Sequence, residues 1–273
     1  MMTRSEIKSY TAVMCLLAFA YQMESDAPFV VTSNRDEFYL RPTLPMHWWP
    51  DKPILAGRDE QAGGTWLGLS KTGRFAAVTN FRDLKKQNTS ATGLLSRGDL
   101  VVDFLSTSTP ASKWAEQMQT SSLEYGPFSL LLFDGKQLIY CNNQGDPQQK
   151  LAPGFYALSN HQLNSPWPKV CYARDQITHL LKNNELNSET LPRVVNCLSQ
   201  NAVYPDKLLP ETGIPIDWER RLSSPFITAD GYGTRASTGV IFSKSGVINI
   251  AEQSFHDGIE SCYSVFQHKL STD

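Results

Sequence analysis

The chain has 273 residues, 41% hydrophobic and 19% charged, and its 25 Lys+Arg against 27 Asp+Glu leave a net charge of −2. That near-neutral balance, without a block of like charges, lacks the basic footprint that phosphate-backbone binding needs and argues against nucleic acid as a partner. At roughly 150 residues per domain the length allows one large mixed domain or two small ones, and 17 Gly with 16 Pro are too few for a low-complexity or collagen-like chain.

Arg4 and Lys8 precede an apolar run that ends in Ala18-Phe19-Ala20, a pattern open to a signal peptide. Two strands explain the same residues: 12–21, then a polar turn at Glu24-Ser25-Asp26, then 27–33. A third reading starts the chain at Met14, which makes residues 1–13 a leader, an upstream extension or a propeptide and 14–273 a single domain. No stretch reaches the ~18 apolar residues of a membrane span.

Residues 64–70 and 74–80 are apolar-aromatic runs around Lys71-Thr72-Gly73 and predict a hairpin. From Ser96, Leu100, Val101, Phe104 and Leu105 fall on one helical face, with Ser96 and Asp99 as a capping pair, and a second helix follows Pro110 with Trp114 and Met118 inward. Residues 128–133 and 137–141 flank Asp134-Gly135-Lys136, a strong hairpin signal. Helical spacing returns over 168–183 and 188–200. A Pro-rich connection, 205–215, then leads to strands over 225–230, 234–243 and 247–253. Runs of strands followed by runs of helices, rather than strict alternation, predict an α+β fold with antiparallel sheets.

The five cysteines, Cys15, Cys141, Cys171, Cys197 and Cys262, form no C-x-x-C pair. An odd, scattered set suits a reducing compartment and a cytoplasmic location. The five histidines show no metal-ligand spacing, and the serine-hydrolase, zincin and nucleotide-binding signatures do not occur, so neither a metal nor another cofactor is expected. Polar residues stand instead where strands are expected to end: Asn34-Arg35-Asp36-Glu37, Asn80 and Asn160, together with Arg235 inside YGTRAST. Singly, each is an ordinary strand terminator or salt-bridge partner.

Together they carry a resemblance. Met14-Cys15-Leu16-Leu17, Asn34-Arg35-Asp36-Glu37, Gly63-Gly64-Thr65-Trp66-Leu67-Gly68, Asn80-Phe81-Arg82, Ser96-Arg97-Gly98, Leu158-Ser159-Asn160 and Tyr232-Gly233-Thr234-Arg235 resemble the successive motifs of the NRDE proteins, also called the transport and Golgi organisation protein 2 family. The resemblance implies an N-terminal nucleophile hydrolase-like fold, a four-layer αββα sandwich of two antiparallel sheets flanked by helices. By similarity to the cysteine acylases of that fold, it implies a hydrolase of non-peptide carbon–nitrogen bonds or an acyltransferase, acting on a small linear amide or acyl compound. Cys15 would supply the nucleophilic thiolate and, through its own α-amine, the base. Arg35 would favour the thiolate, Asp36 would accept from the α-ammonium, the Asn80 backbone N–H and the Asn160 amide would hold the oxyanion, and Arg235 would orient the nucleophile or a substrate carboxylate. In the acylases the early arginine is followed three residues later by its aspartate. Phe38 stands there in this chain, so Asp36 or Glu37 takes that place. Relatives in the family also suggest a non-catalytic carrier of haem or of lipid and acyl-CoA ligands, for which Phe38, Trp48, Trp49, Trp66 and Phe81 would line an apolar pocket.

Overall fold

The computed structural model describes residues 14–24, 26–82, 94–183 and 186–271. Residues 1–13, the expected leader, extension or propeptide, lie outside them.

Two all-antiparallel sheets stack face to face. One has the order β10-β1-β2-β12-β13-β14, built from Gly154–Leu158, Met14–Tyr21, Phe29–Phe38, Tyr232–Phe242, Val247–His256 and Ile259–Lys269, with the short β11, Thr228–Ala229, beside β12. The other runs β3 to β9 in sequence order: Thr43–Trp48, Ile54–Asp59, Leu67–Ser70, Phe75–Asn80, Phe128–Phe133, Leu138–Asn142 and Gln149–Lys150. Helices α1 (Arg97–Ser106) and α2 (Ala111–Gln119) cover the second sheet, and α3 (Pro168–Asn183) and α4 (Leu191–Val195) cover the first.

Side-chain alternation along each strand explains the layers. On β1, Cys15, Leu17, Phe19 and Tyr21 enter the core between the sheets, while Leu16, Ala18 and Ala20 meet Val170, Ala173 and Ile177 of α3. On β6, Phe75 and Ala77 face the same central core and Ala76 and Val78 face Phe104 and Trp114 of the helical layer. Both faces of the central strands are thus buried, which is why they read as continuous apolar runs. The result is the four-layer αββα sandwich expected from the sequence.

Three expectations need correction. Asn34–Glu37 do not end a strand; they lie inside β2, buried, and Asn34 and Asp36 find partners far along the chain, such as the Leu198 and Pro225 carbonyls for the Asn34 amide and Thr234 Oγ1 for Asp36. The helix expected over 188–200 is one short turn, α4, continued by a 3₁₀ turn at Asn196–Leu198, and the strand over 225–230 shrinks to β11. The aromatic pocket is not assembled: Trp49 packs under the helices of the second sheet, Phe38 against Tyr232, Phe81 against His161 and Trp48 against His268.

A buried carboxylate stitches the sheets together. Glu252 on β13 accepts the Met46 N–H at 2.8 Å, where the β3–β4 register slips between Leu44 and His47. Burial raises its carboxyl to about 7, against the pull of the Met46 N–H and of Arg35. Its folded pKa lies above the unfolded value of 4.5, so the stability it contributes is present below pH 4.5 and lost as pH rises through 7. Glu252→Gln keeps the acceptor for Met46 and removes the titration. Denaturant melts should show the variant gaining on the wild type by roughly 3 kcal/mol between pH 4.5 and pH 8, and equal pH profiles would contradict the assignment.

Candidate active site

Cys15 and Arg35 are paired across β1 and β2 in antiparallel register, which sets their Cβ atoms about 5 Å apart on one face. That face is the inter-sheet core, and both residues are 1% exposed. The Arg35 guanidinium lies over the Trp66 ring at 4.2 Å, donates to Thr43 Oγ1 at 3.2 Å, and has Glu37 and Asp59 carboxylates at 3.7 and 3.9 Å. Its Nε has no hydrogen-bond partner among the described residues. Burial, together with the Asp36 charge, pushes the Cys15 thiol up to about 12, against the pull of Arg35. With the chain continuing through Met14, the thiol is therefore protonated at neutral pH.

The opposite face of β2 carries Asp36, which stands opposite Met14 in register. Thr234 Oγ1 donates to Asp36 Oδ1 at 2.7 Å, while Oδ2 is buried without a partner among the described residues. Lys169, in the first turn of α3, is also buried, and its Nζ has no hydrogen-bond partner among them. Burial raises the Asp36 carboxyl and lowers the Lys169 ammonium, and the field of each charge on the other works against its shift. Glu37 is differently placed. It shares the inner face with Arg35, accepts the Phe38 N–H at 2.8 Å and pairs with Arg41 at 3.4 Å.

Past the end of β10, Ser159 Oγ donates to the Cys15 carbonyl at 3.1 Å and also lies 3.1 Å from Asn160 Oδ1. The Asn160 amide in turn donates to the Asn80 carbonyl at 3.2 Å. Cys15, Asn160 and Asn80 are therefore tied by one chain of hydrogen bonds. The Asn160 amide gives one of its two N–H groups to the Asn80 carbonyl, and Asn80 Nδ2 is a buried donor with no partner among the described residues. Arg235 stands apart from this group. It sits at the β-bulge where the β2–β12 register slips, and its Nη1 donates at 3.1 Å to the Phe38, Tyr39 and Arg41 carbonyls. It fixes the turn from β2 to β3.

A cleft of about 320 Å³ opens over this wall, lined by Arg35, Asn80, Trp66, Arg41, Asp59 and the start of α1. Cys15 lies behind the lining, one strand from Arg35. Two glycines shape the cleft. A Cβ on Gly64 would come within 2.7 Å of the Gly98 carbonyl carbon, and one on Gly98 within 2.9 Å of the Thr65 nitrogen. Backbone therefore meets backbone where the Gly63-Gly64-Thr65-Trp66 loop touches the N-terminus of α1.

A model of the Transport and Golgi organisation 2 family matches residues 14–257, which takes in every one of these residues. The chain belongs to that family. Among Transport and Golgi organisation 2 relatives, the human homologue is 30% identical over 270 residues, covering 89% of this chain and 94% of its own, and the Drosophila melanogaster protein is 22% identical over 88% and 92%. Two solved structures are similar in outline. They are the Caenorhabditis elegans ortholog of N-acylethanolamine-hydrolyzing acid amidase (TM-score 0.47, 10% identity, 83% of this chain and 92% of that one) and a mutant of the conjugated bile acid hydrolase from Clostridium perfringens (TM-score 0.43, 9% identity, 95% and 99%).

Ser159 and Lys169 are partners of the site that sequence reasoning missed. Ser159 is the middle residue of Leu158-Ser159-Asn160. Lys169 had no signal, because a lysine in the first turn of a helix is normally solvated. Replacing Gly98 by Ala should force the α1 terminus off the Gly64 loop. We expect a loss of about 1–3 kcal/mol, the cost of an overpacked contact, in thermal melts. An unchanged melting temperature would show that the two backbones have room to part.

Proposed function

We propose that this protein is a cysteine N-terminal nucleophile enzyme, an amidohydrolase or acyltransferase for a small linear amide or acyl compound, working once Cys15 is the first residue of the chain. The observation that carries this reading is the register. Cys15 faces Arg35 on one side of the sheet, and Asp36, opposite Met14, presents an empty carboxylate oxygen where a freed Cys15 amine would need an acceptor.

The steps follow from those positions. The Cys15 α-amine, with an ordinary pKa of about 7.7–8.0, takes the thiol proton. Asp36 holds the resulting ammonium and Arg35 offsets the thiolate charge. Sulfur attacks the substrate carbonyl carbon, a C–S bond forms, and the carbonyl oxygen becomes an oxyanion facing Asn80 Nδ2. One such donor contributes roughly 3–4 kcal/mol in acyl-transfer enzymes. The ammonium returns its proton to the leaving nitrogen as the C–N bond breaks, leaving a thioester on Cys15. Water, losing a proton to the amine, or another nucleophile then attacks the thioester and releases the thiol. Ser159 and Asn160 keep the Cys15 backbone in place, and Arg235 holds the turn that carries Arg41. A working thiol suits a reducing compartment, and we place the protein in the cytoplasm. No helix among the described residues is long and apolar enough to cross a membrane.

Intact-mass analysis of protein from active cells should find Cys15 at the N-terminus. Iodoacetamide should then label Cys15 at least about tenfold faster than Cys141, whose thiol burial also pushes up to about 12. Arg35→Met should remove most of that advantage. Active protein that retains residues 1–14 would overturn the reading.

A further inference from the structure

Ser96-Arg97-Gly98 takes no part in the chemistry above, yet it forms one wall of the cleft. Arg97 is the first residue of α1, and the Gly64–Gly98 contact fixes the helix start beside Trp66. Its Nη1 donates to the Pro127 carbonyl at 3.1 Å, and no carboxylate among the described residues lies within ion-pair distance of it. Burial lowers its pKa to about 10, with Arg41 acting in the same direction, and this still leaves it charged at neutral pH. The Ser96 side chain makes no cap bond, so the expected Ser96–Asp99 capping pair does not form; the Asp99 N–H donates to the Ser96 carbonyl at 3.0 Å, and the positive end of the helix borders the cleft. Ser96 and Gly98 both line it.

The other walls also offer donors without acceptors. Arg35 Nε and Asn80 Nδ2 are buried, unpartnered among the described residues and on side chains that line the cleft. Three guanidinium groups border it, those of Arg35, Arg41 and Arg97. The two acids among them, Glu37 and Asp59, pair with Arg35 and Arg41. One positive charge is left over, and it is the charge on Arg97. A neutral amide can answer the buried donors through its carbonyl but leaves the Arg97 charge uncompensated, whereas a monoanion answers both.

We infer that the cleft is a carboxylate site, in which Arg97 and the first turn of α1 bind the carboxylate of a monoanionic acyl or amide substrate while its reacting carbonyl lies toward Arg35 and Asn80. This rests on the cleft beside Cys15 being the substrate cleft, and it assigns to Arg97 the carboxylate recognition expected of Arg235, whose Nη1 donates to three backbone carbonyls and which does not line the cleft. The volume of about 320 Å³ suits a small ligand.

Butanoate and butanamide differ in little but charge, and calorimetric titration of the full chain with each reads the site without asking it to react. Wild-type protein should bind butanoate at least about tenfold more tightly than butanamide, the size of one charge-assisted hydrogen bond. Arg97→Gln should remove that preference and Arg97→Lys keep part of it. Raising salt from about 0.05 to 0.5 M should narrow the preference in the wild type, a result that stands even if a variant does not fold. Equal binding of the two ligands, binding of neither, or a preference that survives in Arg97→Gln overturns the inference. A parallel comparison of iodoacetate with iodoacetamide separates it from the catalytic reading. A Cys15 silent to both reagents, in protein that still prefers butanoate, would remove the nucleophile and leave the carboxylate site.

Discussion

The structure depends on keeping a guanidinium charged in the core between two sheets. Arg35 is among the largest fully buried side chains in the protein, and an isolated charge there would be prohibitive. The surroundings answer it on every side but at Nε: Trp66 beneath the plane, Thr43 at one nitrogen, and Glu37 and Asp59 at the edge. Asp59 is itself held by Arg41 at 2.7 Å, and Arg41 belongs to the turn that Arg235 clamps. Much of what was read as a list of separate polar motifs is therefore one support for one buried cation. Removing a single member strands a charge, which costs more than the pair contributes when intact.

The strand geometry divides the work between the two faces of β2. Arg35 and Glu37 point into the inter-sheet core, where the cleft and the thiol are. Asn34 and Asp36 point toward the helical layer, where Asn34 accepts from Ser237 and binds two distant carbonyls, and Asp36 meets Thr234 and the field of Lys169. On the proposed reading, this alternation favours Asp36 over Glu37 as the acceptor for the α-amine. Glu37 is engaged with Arg35, Arg41 and the Phe38 N–H, whereas Asp36 keeps an oxygen free beside the place where the chain enters β1.

Much of the fold was legible because the central strands and the helices bury continuous or periodic apolar faces. β1, the β5–β6 and β7–β8 hairpins, α1, α2 and α3 all show this in their residues. β14 and β3, not evident in the residues, lack it. β14 carries a mostly exposed face and polar residues such as Glu260, Gln267 and Lys269, and β3 is interrupted by Pro45. The polar stretch at Asn34–Glu37 looked like the end of a strand because no local residue could satisfy it. The partners of Asn34 and Asp36 come from 164 to 203 residues further along the chain, and a single sequence does not display such distances. In the site, Cys15, Arg35, Asp36, Asn80 and Asn160 were found through motif resemblance. The bonds that Asn160 and Arg235 make to the Asn80, Phe38, Tyr39 and Arg41 carbonyls exist only in the folded chain.

The central claim is that Cys15 becomes a nucleophile through its own amine, and the pH dependence of its alkylation tests this most directly when a chain beginning at Cys15 is compared with one retaining Met14. With Met14 retained, the thiol should titrate near 12, as burial dictates. With Cys15 first, reactivity should rise with an apparent pKa near that of the amine, about 7.7–8.0. Identical profiles for the two chains would contradict the account.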